Sequence, residues 1–212
     1  MSAKINLEVM ATAAEALGKL DPDFKRLVRD HGLPGLRSRP SGFNTVLNVI
    51  AGQQVSTHAA RAIMGRMKAV AHPMTPEILL ALSDAELGAI GFSRAKMSYA
   101  RGIAEAIQGG TFSFRKVARM ADEEAIAEMI KLKGIGRWSA EVYLLFALRR
   151  PDLWPVDDLG VLTGFARLKN MSALPTRKAM MEAGERYRPW RSVAARLLWH
   201  YVHATKKSGG GI

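Results

Sequence analysis

The stretch LKGIGRWSAEVYLLFALRRPDLWPVDDLG, residues 132–160, decides how this chain reads. Residues 122–149 have the apolar spacing of two helices joined by a tight turn. Gly134 can take a positive φ that strains any residue with a Cβ. Gly136 stands at the start of the second helix, where no side chain blocks approach to the backbone. The amide N–H groups there lack intrahelical partners and carry the positive end of the helix dipole. Such a turn can hold a phosphate through its backbone, with Lys133 and Arg137 adding charge beside it. Contacts of that kind position a duplex without reading its sequence. On the two glycines alone, an ordinary helical hairpin with a glycine cap is the better reading, because so short a motif is common; the basic neighbours and the charge of the whole chain shift the balance. The run RRPDLWPVDD, 149–158, is polar, holds two prolines and ends the second helix.

Bulk properties narrow the class. The 212 residues are 48% apolar, enough for one large core or two smaller domains. There is no cysteine, which excludes disulfides, thiolate zinc sites and iron–sulfur clusters and fits a reducing compartment. No apolar run approaches the roughly 18 residues of a membrane span, and MSAKINLEVM carries Glu8 where a secretory signal needs an apolar core. The expectation is a cytoplasmic monomer, nucleoid-associated if bacterial. A net charge of +12 and a pI near 10.3 point to a polyanion, with nucleic acid ahead of anionic membrane. The bland alternative is a merely soluble basic surface.

Helical periodicity runs nearly throughout, with no convincing strand alternation. Helices are predicted over 4–19, 21–31, 42–52, 56–71, 75–81, 83–90, 94–108, 113–118, 122–132, 137–149, 158–169, 175–186 and 190–205. Thr75 before Pro76 and Ser83 three residues before Glu86 are start signals; Gly91, Gly109-Gly110 and Gly134 are stops. The expected fold is all-α. It has a central lobe, 43–150, containing the hairpin, and a second lobe built from 1–42 and 151–205, with a cleft between the lobes. Residues 206–212 read as a flexible tail. Arg149 and Arg150, and Arg186, Arg188 and Arg191, read as solvated basic faces. His200 and His203 share a face but lack a third ligand for a metal.

LKGIGRWSA followed by WPVDDLG resembles the helix-hairpin-helix (HhH-GPD) DNA glycosylase superfamily. VIAGQQVSTHAARAI (49–63), IGFSRAKMSYARGIAEAI (90–107) and RPWRSVAARLLWHY (188–201) are similar to its alkylation-repair branch, the 3-methyladenine DNA glycosylase II type. The resemblance covers about 43–203. It implies a monofunctional glycosylase that flips alkylated bases, of the 3-methyladenine or 7-methylguanine type, out of duplex DNA and hydrolyses the N-glycosyl bond in base excision repair. The alternatives are a hairpin module that only binds DNA, and a glycosylase for deaminated or mismatched bases.

Excision needs a carboxylate near the deoxyribose, where oxocarbenium-like charge develops. From chemistry alone Asp157 or Asp158 can serve, one of them capping the next helix instead. The family's aspartate lies two residues after the proline, which maps to Asp157. Lyase members carry a lysine where this chain has Trp138, so the resemblance implies no Schiff base and no strand cleavage. Trp138 and Trp199 become the walls of a slot for a cationic purine; read alone, Trp138 packs in the core with Val142 and Leu145. The family's opening wedge follows the VIxGQ helix, which here makes Gln53, Gln54, Ser56 and Thr57 DNA contacts beside the hairpin residues Lys133, Gly134, Ile135, Gly136 and Arg137. Some members have leucine at the place of Gln54. Ser56 also reads as a helix cap. Hairpins of this family often bind a structural monovalent cation, Na+ or K+, through main-chain carbonyls, by match those of Ile130, Leu132 and Ile135. Hydrolysis requires no other cofactor.

Overall fold

A computed structural model of the chain describes residues 4–71 and 73–208, without the side chains of Thr57 and 206–208. All regular structure among the described residues is helical. The helices are α1 (Leu7–Leu20), α2 (Pro22–His31), α3 (Phe43–Gly52), α4 (Thr57–Val70), α5 (Pro76–Ala81), α6 (Asp84–Ile90), α7 (Arg94–Gln108), α8 (Phe114–Val117), α9 (Asp122–Ile130), α10 (Arg137–Phe146), α11 (Leu159–Leu168), α12 (Arg177–Glu185) and α13 (Arg191–Ser208).

Short polar side chains set most of the starts. Ser56, Thr75, Ser83, Ser93, Asp158 and Thr176 each accept a backbone N–H from the first turn of the helix that follows, each cap being worth about 1 kcal/mol. Ser83 and Glu86 close the reciprocal box that their spacing predicts.

Three ends differ from the sequence reading by three residues, the others by one or two at most. Helix α1 begins at Leu7 and not at residue 4, because the Asn6 side chain caps it and the Ile5 N–H donates to the Arg149 carbonyl at 2.9 Å. Helix α10 stops at Phe146 and not at 149. Arg149 turns left-handed at φ 57°, and the Arg150 N–H returns to the Leu144 carbonyl at 3.2 Å. No glycine marks that turn, so composition hides it. Helix α13 continues through Ser208, where a tail was expected from 206; the sequence offers no breaker before Gly209. The remainder of that tail lies outside the described residues.

The chain divides into two compact units, after Ser38 and after Tyr143. The second division falls inside α10, not at the proline pair that marks a break in the sequence. In the unit Arg39–Tyr143, α5 packs on α7 and α3 packs on both α4 and α7. Leu47, Ile50, Leu79, Leu87, Ile103, Ile126 and Met129 are buried there. The Tyr143 hydroxyl accepts the Gly42 N–H at 2.9 Å, and burial pushes its phenol up to about 12.

The unit built from the two ends packs α11 on α13, α1 on α2, and α2 against α13, around Leu17, Phe24, Val161, Leu197 and Leu198. At its centre the carboxylate of Asp21 is 2% exposed. It accepts the Lys169 ammonium at 2.6 and 2.8 Å and the Tyr187 hydroxyl at 2.8 Å. Lys169 also reaches Asp23 at 2.8 Å. The basic face expected at 186, 188 and 191 is instead paired. Arg188 and Arg191 both bind Asp152, at 2.9 and 2.8 Å, and both reach Glu185, while Arg186 donates to the Leu20 carbonyl. Glu185 is a local partner, but Asp152 is remote in sequence and invisible to a local charge count.

Candidate functional site

The hairpin turn, with α9 and α10 as far as Tyr143, lies in the unit Arg39–Tyr143. Gly134 has φ +88°, and a Cβ there would stand 2.3 Å from two ring carbons of Tyr99. The turn therefore needs glycine both for its backbone angle and for the close ring. Leu132 and Ile135 are buried, and the Ile135 N–H donates to the Leu132 carbonyl at 3.0 Å. Gly136 has open space around its Cβ position, so the start of α10 is accessible to a ligand.

Of the two flanking cations, Lys133 is exposed, but Arg137 is committed. Its guanidinium forks onto Glu123 at 2.6 and 2.9 Å and reaches Glu141 at 3.0 Å. Hydrogen bonds to Glu123 hold it above its ordinary range. The expected phosphate-facing charge of Arg137 is thus largely neutralised within the fold.

The turn after α3 meets the hairpin. Gln53 donates its amide to the Gly134 carbonyl at 2.9 Å and to the Ser139 hydroxyl at 3.2 Å. The sequence reading made Gln53 a DNA contact; the structure gives its amide to the protein. Gln54 turns left-handed at φ 54° and is exposed. Ser56 caps α4 through the Ala59 N–H at 3.1 Å. Thr57 opens α4, and its side chain lies outside the described residues. Lys96 donates to the Ala51 carbonyl at 2.9 Å, and burial lowers its pKa. Gln53, Gln54, Lys96, Tyr99 and the backbone of 134–136 line one open cleft of about 370 Å³. Trp138, on the first turn of α10, is 37% exposed, which departs from a fully buried core residue.

The carboxylates lie in the other unit, and the structure gives them different partners. Asp157 is half exposed and forms an ion pair with Arg177 at the start of α12. Asp158 caps α11, and one of its oxygens accepts two donors, the Val161 N–H at 2.9 Å and the Trp199 indole N–H at 2.7 Å. Trp199 is stacked on Phe146, with ring centroids 5.4 Å apart and 28° between planes. The Arg196 guanidinium lies 4.7 Å from the Phe146 centroid; burial, with Arg37 nearby, lowers its pKa to about 10. A Cβ on Gly160 would stand 2.7 Å from the Trp199 ring. Phe146, Gly160 and Arg177 escaped the sequence reading. Only Gly160 left a signal, as a helix-breaking residue inside a capped first turn. Of the two histidines, His200 pairs its ring with the His31 carbonyl at 2.8 Å. Among the described residues no group of three or more His, Cys, Asp or Glu could hold a metal.

A phosphate-accessible glycine hairpin and a capped, indole-bound carboxylate thus stand on one chain. The profile of the HhH-GPD superfamily of base excision DNA repair proteins matches residues 47–189. The chain belongs to that superfamily. This HhH-GPD chain is 32% identical over 190 residues to DNA-3-methyladenine glycosylase 1 of Schizosaccharomyces pombe, covering 86% of this chain and 83% of that protein. The solved structure of the S. pombe 3-methyladenine DNA glycosylase in complex with abasic DNA superposes with a TM-score of 0.81 at 33% identity, covering 89% of this chain and 95% of that one. A DNA-3-methyladenine glycosidase from Bacillus halodurans gives 0.80 at 27% identity, covering 92% and 91%. The profile match takes in the hairpin and both aspartates and ends before Trp199.

Proposed function

We propose that this HhH-GPD protein is a monofunctional DNA glycosylase that hydrolyses the N-glycosyl bond of alkylated purines, of the 3-methyladenine or 7-methylguanine type, in duplex DNA. The observation that carries the reading is Asp158, whose carboxylate is fixed in orientation by Val161 and Trp199. Spacing from Pro155 points to Asp157, but that carboxylate spends its charge on Arg177 at the surface. An oriented carboxylate can stabilise the oxocarbenium-like sugar as the base departs, and can orient or deprotonate the attacking water. An N3- or N7-alkylated purine is already cationic and leaves as a neutral base, so no general acid is needed. Asp158 is therefore assigned to the reaction and Asp157 to the surface pair.

Trp199 and Trp138 each offer an indole face on which a flipped cationic base can stack. The exposed left-handed turn at Gln54 suits the residue that fills the gap left by the base. Gly134, Ile135 and Gly136, with Lys133, suit a backbone phosphate. The carbonyls of Ile130, Leu132 and Ile135 are hard oxygen donors of the kind a monovalent cation takes. Leu132 spends one lone pair on the Ile135 N–H and retains a second. They would hold Na+ or K+, which would supply a positive charge between the turn and a phosphate.

The test is incubation with methylated duplex DNA, with released bases identified chromatographically and the strand analysed for breaks. Free 3-methyladenine or 7-methylguanine with an intact strand is expected. Binding to the duplex without any base release would leave only a DNA-binding module, and release of deaminated bases alone would replace the substrate class.

A further inference from the structure

We infer that Gln53 is a positioning residue: its side chain locks the Gln54 turn to the hairpin, so that the phosphate grip and the opening of the duplex form one rigid device. The inference rests on the reading above, in which Gln54 fills the gap. Three observations carry it. First, the Gln53 amide bridges the Gly134 carbonyl at 2.9 Å and the Ser139 hydroxyl at 3.2 Å, linking residues far apart in the chain. Second, the backbone turns at once from extended at Gln53, φ −65° and ψ 131°, to left-handed at Gln54, φ 54°. Glutamine is not favoured there, and such a conformation persists only where its surroundings over-determine it. Third, those surroundings are in place. Lys96 holds the Ala51 carbonyl at 2.9 Å just before the turn, and Ser56 caps α4 just after it. Ser139, which takes one leg of the bridge, is 4% exposed and sits in the first turn of α10.

The consequence is mechanical. A phosphate seated on the amides near Gly136 fixes the hairpin. Through the Gly134 carbonyl and Ser139, the hairpin fixes Gln53, and Gln53 fixes the direction in which Gln54 points. Without the bridge the hairpin still binds phosphate, but Gln54 enters the duplex from a mobile turn.

The experiment is a double-mutant cycle on the full chain with Gln53→Leu, which keeps bulk and removes the donor, Gln54→Ala, and both together. Opening of the duplex is read by fluorescence of 2-aminopurine beside a target site, and base release by single-turnover rate. Gln53→Leu should cut opening and base release by about five- to tenfold, the loss expected for one part-buried hydrogen-bonded link. Affinity for undamaged duplex and its salt dependence should stay within about twofold. Because Gln53 acts through Gln54, the double variant should behave as Gln54→Ala does alone. Ser139→Ala, which removes one leg, should lose less in the same direction, and serves if Gln53→Leu does not fold. Additive losses would make Gln53 an independent DNA contact and overturn the inference. So would a loss in Gln53→Leu alongside a neutral Gln54→Ala. If wild-type protein releases no base, the function fails first, and the opening signal alone still decides the role of Gln53.

Discussion

One oxygen of Asp158 accepts the indole N–H of Trp199 at 2.7 Å across the α11–α13 contact, and the same oxygen caps α11. The carboxylate and the aromatic platform are thus set by each other. Asp158→Asn keeps an oxygen acceptor and a good cap while losing the charge. Base release should fall by about a hundredfold or more, with duplex affinity equal or tighter because a negative charge near phosphates is gone. Asp157→Asn loses only a surface ion pair, worth about 0.2–1 kcal/mol, and should stay near wild-type activity. The opposite ranking in single-turnover assays would return the catalytic role to Asp157.

Gly160 leaves the room that Trp199 occupies. In Gly160→Ala the new methyl would stand 2.7 Å from the ring and 3.1 Å from the Asp158 oxygen. The indole must shift, at about 1–3 kcal/mol in stability. Base release should fall more than thermal stability does. A variant that melts lower yet excises normally would show that the position of Trp199 is not critical.

The two hairpin glycines should fail differently. Gly134→Ala forces a Cβ into Tyr99 at a positive φ and should destabilise the fold. Gly136→Asp meets open space, so folding should be nearly unchanged. Affinity should drop about tenfold for every duplex sequence, and the salt slope should become shallower by about 1. Unchanged affinity of Gly136→Asp for undamaged duplex would remove the hairpin as the anchor.

Trp138 bears on reaction type. No lysine stands at its position, and Lys131 nearby is paired with Glu128 at 2.5 Å. Borohydride treatment during turnover should trap no covalent protein–DNA adduct above background, and the abasic strand should break only on added alkali. Trp138→Ala should slow excision by about 1–3 kcal/mol through lost stacking without creating lyase activity. A robust trapped adduct would reopen the mechanism.

Acid stability should track Asp21. Burial opposes its charged form, but hydrogen bonds from Lys169, Tyr187 and the Asp23 N–H outweigh that and hold its pKa below the ordinary value. The stabilisation is therefore complete above the unfolded carboxylate pKa of about 4. It is lost as pH falls through the lower folded value. Lys169→Met takes the counter-charge from the buried carboxylate, leaving it only the Tyr187 and Asp23 hydrogen bonds, and should cost about 3 kcal/mol at neutral pH. Burial then dominates, the folded pKa rises, and the variant should gain stability on acidification where wild type loses it. Parallel denaturation midpoints from pH 3 to 7 would refute this.

Much of this protein was determined by sequence alone, because the signals are local. Period-3.6 apolar spacing and side-chain caps at Ser56, Thr75 and Ser83 act within one turn, and they place the helices to within a few residues. The glycine hairpin, the basic charge and the family motifs share that short range. Tertiary structure decided what depends on residues remote in the chain. Trp199 fixes the Asp158 carboxylate while Arg177 pairs with Asp157, partners that the spacing from Pro155 does not record, and Gly134 claims a glutamine that reads as a DNA contact. Glu123 neutralises Arg137, and Asp152 pairs arginines that read as a solvated face. Hydrogen bonds and ion pairs form with whatever packing brings within about 3 Å, and no local pattern records which distant side chain that will be.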